Sequence, residues 1–145
     1  MRLLPIKQTI EENIDFINNP ACKETLNMTI EFYKRVGFNP PWIGYYAEEN
    51  GELVGSGAFK GKPINNTVEI AYGTFDNLRQ KGVGTKICKQ LVELSLATDP
   101  SVRITARTLP EKNYSTRILE KNNFILLGFV TDPEDGEVWE WEYKK

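Results

Sequence analysis

Between a strand pattern and an amphipathic helix, the turn Arg79-Gln80-Lys81-Gly82-Val83-Gly84 carries two glycines and two cations. The first backbone N–H groups of a helix have no intrahelical partner, and the helix dipole favours negative charge there. Such a turn is an anion cradle suited to a phosphate group, although glycine pairs also occur in ordinary tight turns. Two sharper phosphate motifs are excluded. A Walker A loop needs Gly-Lys-Ser/Thr, which Gly84-Thr85-Lys86 does not supply, and the dinucleotide fingerprint needs a third glycine where Ile87 stands. The chain has no histidine. Imidazole bases, His triads and His–metal sites are therefore ruled out. Proton transfer falls to carboxylate, tyrosine, hydroxyl, lysine or water. Cys22 and Cys88 show no metal spacing, so no metal is expected and both read as reduced thiols.

The elements that must position this turn follow from hydrophobic period and breakers. A short strand or extended arm covers residues 1–6. Thr9 caps a helix start, with Ile10, Ile14 and Ile17 at helical spacing. A second helix fits Ala21–Val36, with Leu26, Ile30 and Tyr33 on one face and Gly37 as its stop. Strands Trp42–Glu49 and Glu52–Lys60 flank Asn50-Gly51, a strong hairpin signal. Gly55 and Gly57 mark a place where something packs closely on the second of them. In the strand Thr67–Phe75, Val68, Ile70, Tyr72 and Thr74 share one face, and Glu69, Ala71 and Gly73 the other. The helix after the turn buries Val83, Ile87, Leu91 and Leu94. A strand Val102–Thr108, a helix from about Lys112 to Asn122, and a hairpin of Phe124–Thr131 with Glu137–Tyr143 complete the chain. The order predicts an α+β fold, a mixed sheet of six to seven strands with about four helices, in a single domain over residues 1–145.

Eighteen basic against twenty acidic residues leave a net charge of −2, which argues against a general nucleic-acid binder. The apolar runs are too short to span a bilayer, and MRLLPIKQTIEEN turns acidic too early for a secretory signal. A cytoplasmic protein with no membrane partner is expected.

Placed between a strand and a helix, the R-x-x-G-x-G pattern of Arg79–Gly84 resembles the GNAT family of acetyl-CoA-dependent N-acetyltransferases. A second match, Asn113-Tyr-Ser115-Thr-Arg117-Ile-Leu119-Glu120-Lys121-Asn-Asn-Phe124, is similar to that family's N-x-S-x-R helix and the strand after it, most of all in the branch of the ribosomal-protein N-terminal acetyltransferases. The two matches cover about half the chain. The resemblance implies the GNAT fold, acetyl-CoA as acetyl donor, and direct transfer to a small-molecule amine or peptide N-terminus. It also implies that homodimers are common. Backbone groups of Gln80, Lys81, Gly82, Val83, Gly84 and Thr85 would hold the CoA pyrophosphate, with charge from Arg79 or Lys81. Pantetheine would lie between the strand Thr67–Phe75 and the next one, pairing near Gly73, Thr74 and Phe75. Asn113 would touch the pantetheine arm, and Arg117 and Lys121 would reach the phosphates or form a solvated face paired with Glu120.

An alkylamine is ammonium at neutral pH, and freeing its lone pair costs about 4–5 kcal/mol. A carboxylate can take that proton. The candidate is Glu69, close to where other branches of the family place a catalytic glutamate; its alternative role is an ion pair with Arg103 or Arg107. The family's usual acid for the departing thiolate, a tyrosine, is replaced by Leu119. Ser115 is the expected substitute, with Tyr114 next, unless Ser115 merely caps its helix. Phe32, Tyr33, Trp42 and Tyr45 lie in the half that shapes the acceptor pocket in GNAT proteins. The rival readings are a non-catalytic CoA-binding module with this fold and a different phosphate-ligand binder.

Overall fold

The computed structural model describes residues 1–75 and 82–145. Its elements run β1 (Arg2–Pro5), a 3-10 turn (Glu11–Asn13), α1 (Ile14–Ile17), α2 (Lys23–Val36), β2 (Gly44–Glu49), β3 (Glu52–Phe59), β4 (Thr67–Thr74), α3 (Val83–Thr98), β5 (Arg103–Thr108), α4 (Tyr114–Lys121), β6 (Phe124–Asp132) and β7 (Gly136–Tyr143). Seven strands form one sheet in the order β1-β2-β3-β4-β5-β7-β6. The pairs are antiparallel except β4–β5, which is parallel and carries α3 as its crossover. The fold is α+β, with the elements in the expected order along the chain, seven strands and four α-helices among the described residues. None of these helices is long and apolar enough to cross a membrane.

Local chemistry explains the main turns. Asn50 and Gly51 have φ of +55° and +83°, the paired left-handed residues that match the twist of a hairpin. Asn123 ends α4 at φ +65°, a conformation asparagine tolerates. A Cβ on Gly57 would lie 2.8 Å from Ile87 Cγ2. That glycine lets α3 settle directly on β3, and Val83, Ile87 and Leu91 are buried there. Burying each such aliphatic side chain contributes about 1.5–3 kcal/mol.

The first helical segment corrects the periodic reading. Ile14 and Ile17 are 71% and 39% exposed, while Asn13 and Phe16 are buried. The segment opens as a 3-10 turn, and Asn13 is tied to the preceding loop, donating to the carbonyls of Lys7 (3.0 Å) and Thr9 (2.7 Å) and accepting from the Lys7 amide (2.8 Å). That clamp rotates the helix away from the isoleucine face.

The feature that positions the site is the parting of two strands. β4 stays paired with β3 as far as Thr74, opposite Gly55. Its parallel pairing with β5 runs only from Thr67–Arg103 to Ile70–Ala106. Beyond Ile70, one edge of β4 has no strand beside it.

Candidate active site

Backbone alternation decides which groups face the gap. The Lys60 amide donates to the Glu69 carbonyl (2.8 Å) and the Phe75 amide to the Val54 carbonyl (3.1 Å). Odd positions of β4 therefore spend their polar groups on β3, and the even ones, Tyr72 and Thr74, turn theirs into the gap. Of Gly73, Thr74 and Phe75, Thr74 alone presents its amide there, and Tyr72 joins it. A cavity of about 330 Å³ fills this gap, walled by Tyr72, Gly73, Thr74, Asn113, Tyr114 and Ser115. A second cavity of about 240 Å³, walled by Gly82, Thr85, Arg117 and Lys121, shares Tyr114 and Ile118 with it.

At the far end of this groove, Gly82 is the N-cap of α3 with φ +80° and no side chain caps the helix. The first bond of the helix runs from the Lys86 amide to the Gly82 carbonyl (3.2 Å), which leaves the amides of Val83, Gly84 and Thr85 as its open donors. Val83 contributes backbone alone, its side chain being buried. The two glycines serve different ends. Gly82 supplies the left-handed conformation. A Cβ on Gly84 would sit 2.6 Å from Ile118 Cδ1 and 3.4 Å from the Tyr114 hydroxyl, so Gly84 admits α4 rather than only an anion. Arg79, Gln80 and Lys81 lie outside the described residues.

The opposite wall is α4. Asn113 Oδ1 accepts from the Thr116 amide (3.1 Å) and Thr116 Oγ1 from the Asn113 amide (2.9 Å), a reciprocal capping box. Capping is therefore not the task of Ser115, and the Asn113 side-chain oxygen is committed. Ser115 lines the gap, and its carbonyl accepts from the Tyr72 hydroxyl (3.1 Å). Burial, then the neighbouring Cys88 and Tyr114, raise the Tyr72 pKa and keep it a protonated donor. The Tyr114 hydroxyl is buried with no hydrogen-bond partner among the described residues. Leu119 is fully buried in the core, so the position of the family's usual tyrosine points away from the groove. Arg117 and Lys121 are exposed and in no ion pair among the described residues; Glu120 pairs with Lys112 (3.4 Å) instead. Open amides, two cations, an unspent buried hydroxyl and a bare strand edge fit an extended ligand with an anionic end, as CoA is. No cluster of metal-ligating side chains occurs among the described residues.

Across β4 lies a different cavity, of about 410 Å³. Met28, Phe32 and Tyr33 of α2 form its apolar wall, and Lys60, Glu69 and Asp132 its polar one. Glu69 lies 3.4 Å from Lys60 Nζ and 3.8 Å from Arg107 Nε. Arg107 also binds Asp132 (2.9 Å) and Glu140 (3.3 Å), whereas Arg103 pairs with Glu142. The Glu134 amide, the Arg107 guanidinium and the Asp135 amide hold the Asp132 carboxyl down at about 2. Tyr33 gives the cavity its ring only. Its hydroxyl donates to the Ile6 carbonyl (2.8 Å) and accepts from the Gly44 amide (2.9 Å), and burial pushes its pKa up to about 12.

Trp42 and Tyr45 do not line this cavity. Tyr45 pairs with Gly57, and so faces α3. Its hydroxyl donates to the Pro41 carbonyl (2.7 Å), and both rings pack on Phe59, with centroids at 5.1 Å for Trp42 and 6.4 Å for Tyr45. The even alternation of β2 separates Tyr45 from the α2 side. Met28, Lys60 and Asp132 escaped the sequence reading, whereas Arg107 was named there as a partner of Glu69 and is one. Lys60 was within reach of it, since the hairpin register sets residue 60 opposite residue 69.

The chain matches the model of the acetyltransferase (GNAT) domain over residues 2–125, and it belongs to that family. A curated relative, the uncharacterized N-acetyltransferase YjdG of Bacillus subtilis (strain 168), is 32% identical over 103 residues, which are 70% of this chain and 58% of that protein. The chain thus spans little more than half the length of that relative. Among solved structures, the aminoglycoside acetyltransferase AAC(6')-Ib in complex with coenzyme A superposes with a TM-score of 0.70 at 19% identity, over 99% of this chain and 95% of that one. A chimera of spermidine N-acetyltransferase SpeG from Vibrio cholerae and hSSAT gives 0.71 at 13% identity, again over 99% and 95%. At these identities the two structures establish the fold.

Proposed function

We propose that this chain is an acetyl-CoA-dependent N-acetyltransferase that acetylates a primary amine, on a small molecule or a peptide N-terminus, by direct transfer. One observation carries the reading. The parting of β4 from β5 at Ile70 opens a groove that runs to the free amides of α3, and Glu69 stands beside its closed end on the opposite face. CoA supplies the activated acetyl group when bound. Val83, Gly84 and Thr85 offer amides to its pyrophosphate, with Arg117, Lys121 and, outside the described residues, Arg79, Gln80 and Lys81 adding charge or donors. The Tyr72 and Thr74 edge pairs with the pantetheine arm as an added strand, and Asn113, at the N-cap of α4, walls the gap opposite it.

Glu69 takes the proton of the incoming ammonium, directly or through water. Lys60 and Arg107 pair with Glu69, and Arg107 also with Asp132 and Glu140. An acceptor ammonium reaches Glu69 by taking the place of the Lys60 ammonium. On the other side of β4, the Ser115 hydroxyl, free of capping, gives the departing thiolate a proton, with the Tyr114 hydroxyl, which walls the same gap, as its alternate. Phe32 and Tyr33 form the apolar bed for the acceptor's carbon skeleton. The amine substrates in the names of the structural neighbours, aminoglycosides and spermidine, belong to the same broad chemical class.

The buried Leu119 favours a second reading, a CoA-binding module without turnover. Calorimetry with acetyl-CoA, followed by release of free thiol across polyamines, amino acids, aminoglycosides and peptide N-termini, tests both. Binding with amine-dependent thiol release is expected. Binding without release on any amine selects the module, and no binding overturns both readings.

A further inference from the structure

Lys60 stands where an acceptor would. It follows β3 directly, and its amide bonds to Glu69 across the hairpin (2.8 Å). Its ammonium lies 3.4 Å from Glu69 Oε2. Its side chain is 42% exposed and so free to change rotamer. Lys60 and Glu69 together wall two cavities on this face, the acceptor cavity and a neighbouring one of about 410 Å³ that Lys62 and Arg103 also line. One residue beyond Glu69, at Ile70, the pairing of β4 with β5 ends and the groove begins. No other lysine among the described residues is paired with a carboxylate beside that opening: Lys34, Lys86 and Lys112 bind Glu31, Glu49 and Glu120 elsewhere.

We infer that Lys60 is a site of self-acetylation, a primary amine within the chain that uses the same base and the same thioester donor as the external acceptor. The inference rests on the acetyltransferase reading of this site. Glu69 takes one proton from the Lys60 ammonium. The freed nitrogen lone pair forms a bond to the thioester carbonyl carbon, the carbon–sulfur bond breaks, and the second nitrogen proton ends on the departing thiolate. The products are Nε-acetyl-Lys60 and free CoA, and the proton on Glu69 passes to solvent. The modified side chain is neutral. It no longer pairs with Glu69, and it occupies the mouth of the acceptor cavity with an amide. An external amine must displace the Lys60 ammonium from Glu69 to react, so self-acetylation competes with it.

The test is incubation of the purified full chain with acetyl-CoA and no amine, followed by peptide mass spectrometry of every lysine over time. Lys60 is expected to acquire acetyl faster than the exposed Lys23 and Lys144. Glu69→Gln is expected to slow Lys60 alone, by about a hundredfold, while calorimetry shows CoA still bound. Lys60→Arg keeps the ion pair with Glu69 and is expected to remove this one modified peptide. An external amine that the chain acetylates is expected to slow labelling of Lys60. Equal labelling of Lys60, Lys23 and Lys144, or an unchanged Lys60 rate in Glu69→Gln, overturns the inference and leaves the acetyltransferase reading standing on thiol release with external amines. Failure to bind CoA overturns both.

Discussion

The two sides of β4 differ in how their polar groups are spent. On the α3–α4 side, amides of Val83 to Thr85, the strand edge at Tyr72 and Thr74, and the Tyr114 hydroxyl have nothing to bond among the described residues. On the α2 side, Glu69, Asp132 and Glu140 converge on Arg107, with Lys60 on Glu69. The first side is a set of donors kept ready for a ligand that arrives as an anion. The second is a chain of ion pairs running from Lys60 through Glu69 to Arg107 and its two further carboxylates. Unmet polar groups cost stability in the empty protein, and ligand binding returns it. Satisfied ion pairs carry no such cost; in the proposed reaction an acceptor ammonium has to outcompete what is already there.

Substitutions break or sharpen that contrast. The largest effect is expected at Glu69. Glu69→Gln should lower kcat by about a hundredfold to ten-thousandfold and leave the calorimetric CoA affinity unchanged; a loss of affinity instead would mean that the two sides are not separate. Gly84→Ala acts on the other side. The new methyl displaces Ile118 Cδ1 and crowds Tyr114, and CoA binding should weaken about tenfold, or about 1.4 kcal/mol. Stability should hardly move, because alanine's helix preference of about 1 kcal/mol offsets the displaced methyl; thermal melting checks this. Asn113→Ala removes the cap of α4 at about 1 kcal/mol, read as a lower denaturation midpoint at unchanged slope. A further effect is pH-dependent. The folded Asp132 carboxyl is held at about 2, below its ordinary 3.8. Its stabilising contribution is complete above the unfolded value and is lost as pH falls from about 4 through about 2. Melting curves of Asp132→Asn and the parent chain should accordingly converge over that interval and stay apart above it.

Period and punctuation made the groove side readable. The strand before the turn, the α3 stripe of Val83, Ile87 and Leu91, and the α4 segment opened by Asn113 are each local patterns, and the hairpin at Asn50-Gly51 needs only its two residues. The acceptor side was less readable because its parts come from distant positions. Arg107 meets Asp132 across 25 residues, in a turn whose sequence reads as a simple hairpin bend. The aromatic cluster Phe32, Tyr33, Trp42 and Tyr45 divided between two faces: the first two come from α2, Trp42 from the turn before β2, and strand alternation sends Tyr45 to the α3 side. Asn13 shows the same limit in the first helix: a polar residue with three hydrogen bonds took the buried place that isoleucines promised. Gly84 was recognised as important for one reason and is explained by another as well, since its missing side chain makes room for α4.

The short seam between β4 and β5 has a mechanical side. Only the stretch from Thr67–Arg103 to Ile70–Ala106 stitches the leaf β1–β4 to the leaf β5–β7–β6 within the sheet. The leaves also carry different cargo: Glu69 and Lys60 ride on the first, Arg107, Glu140 and the Asp132 turn on the second. A rotation about that seam would alter the groove on one face and stretch the ion pair between Glu69 and Arg107 on the other. The short seam that bounds the groove on one face is thus the one the Glu69–Arg107 ion pair spans on the other.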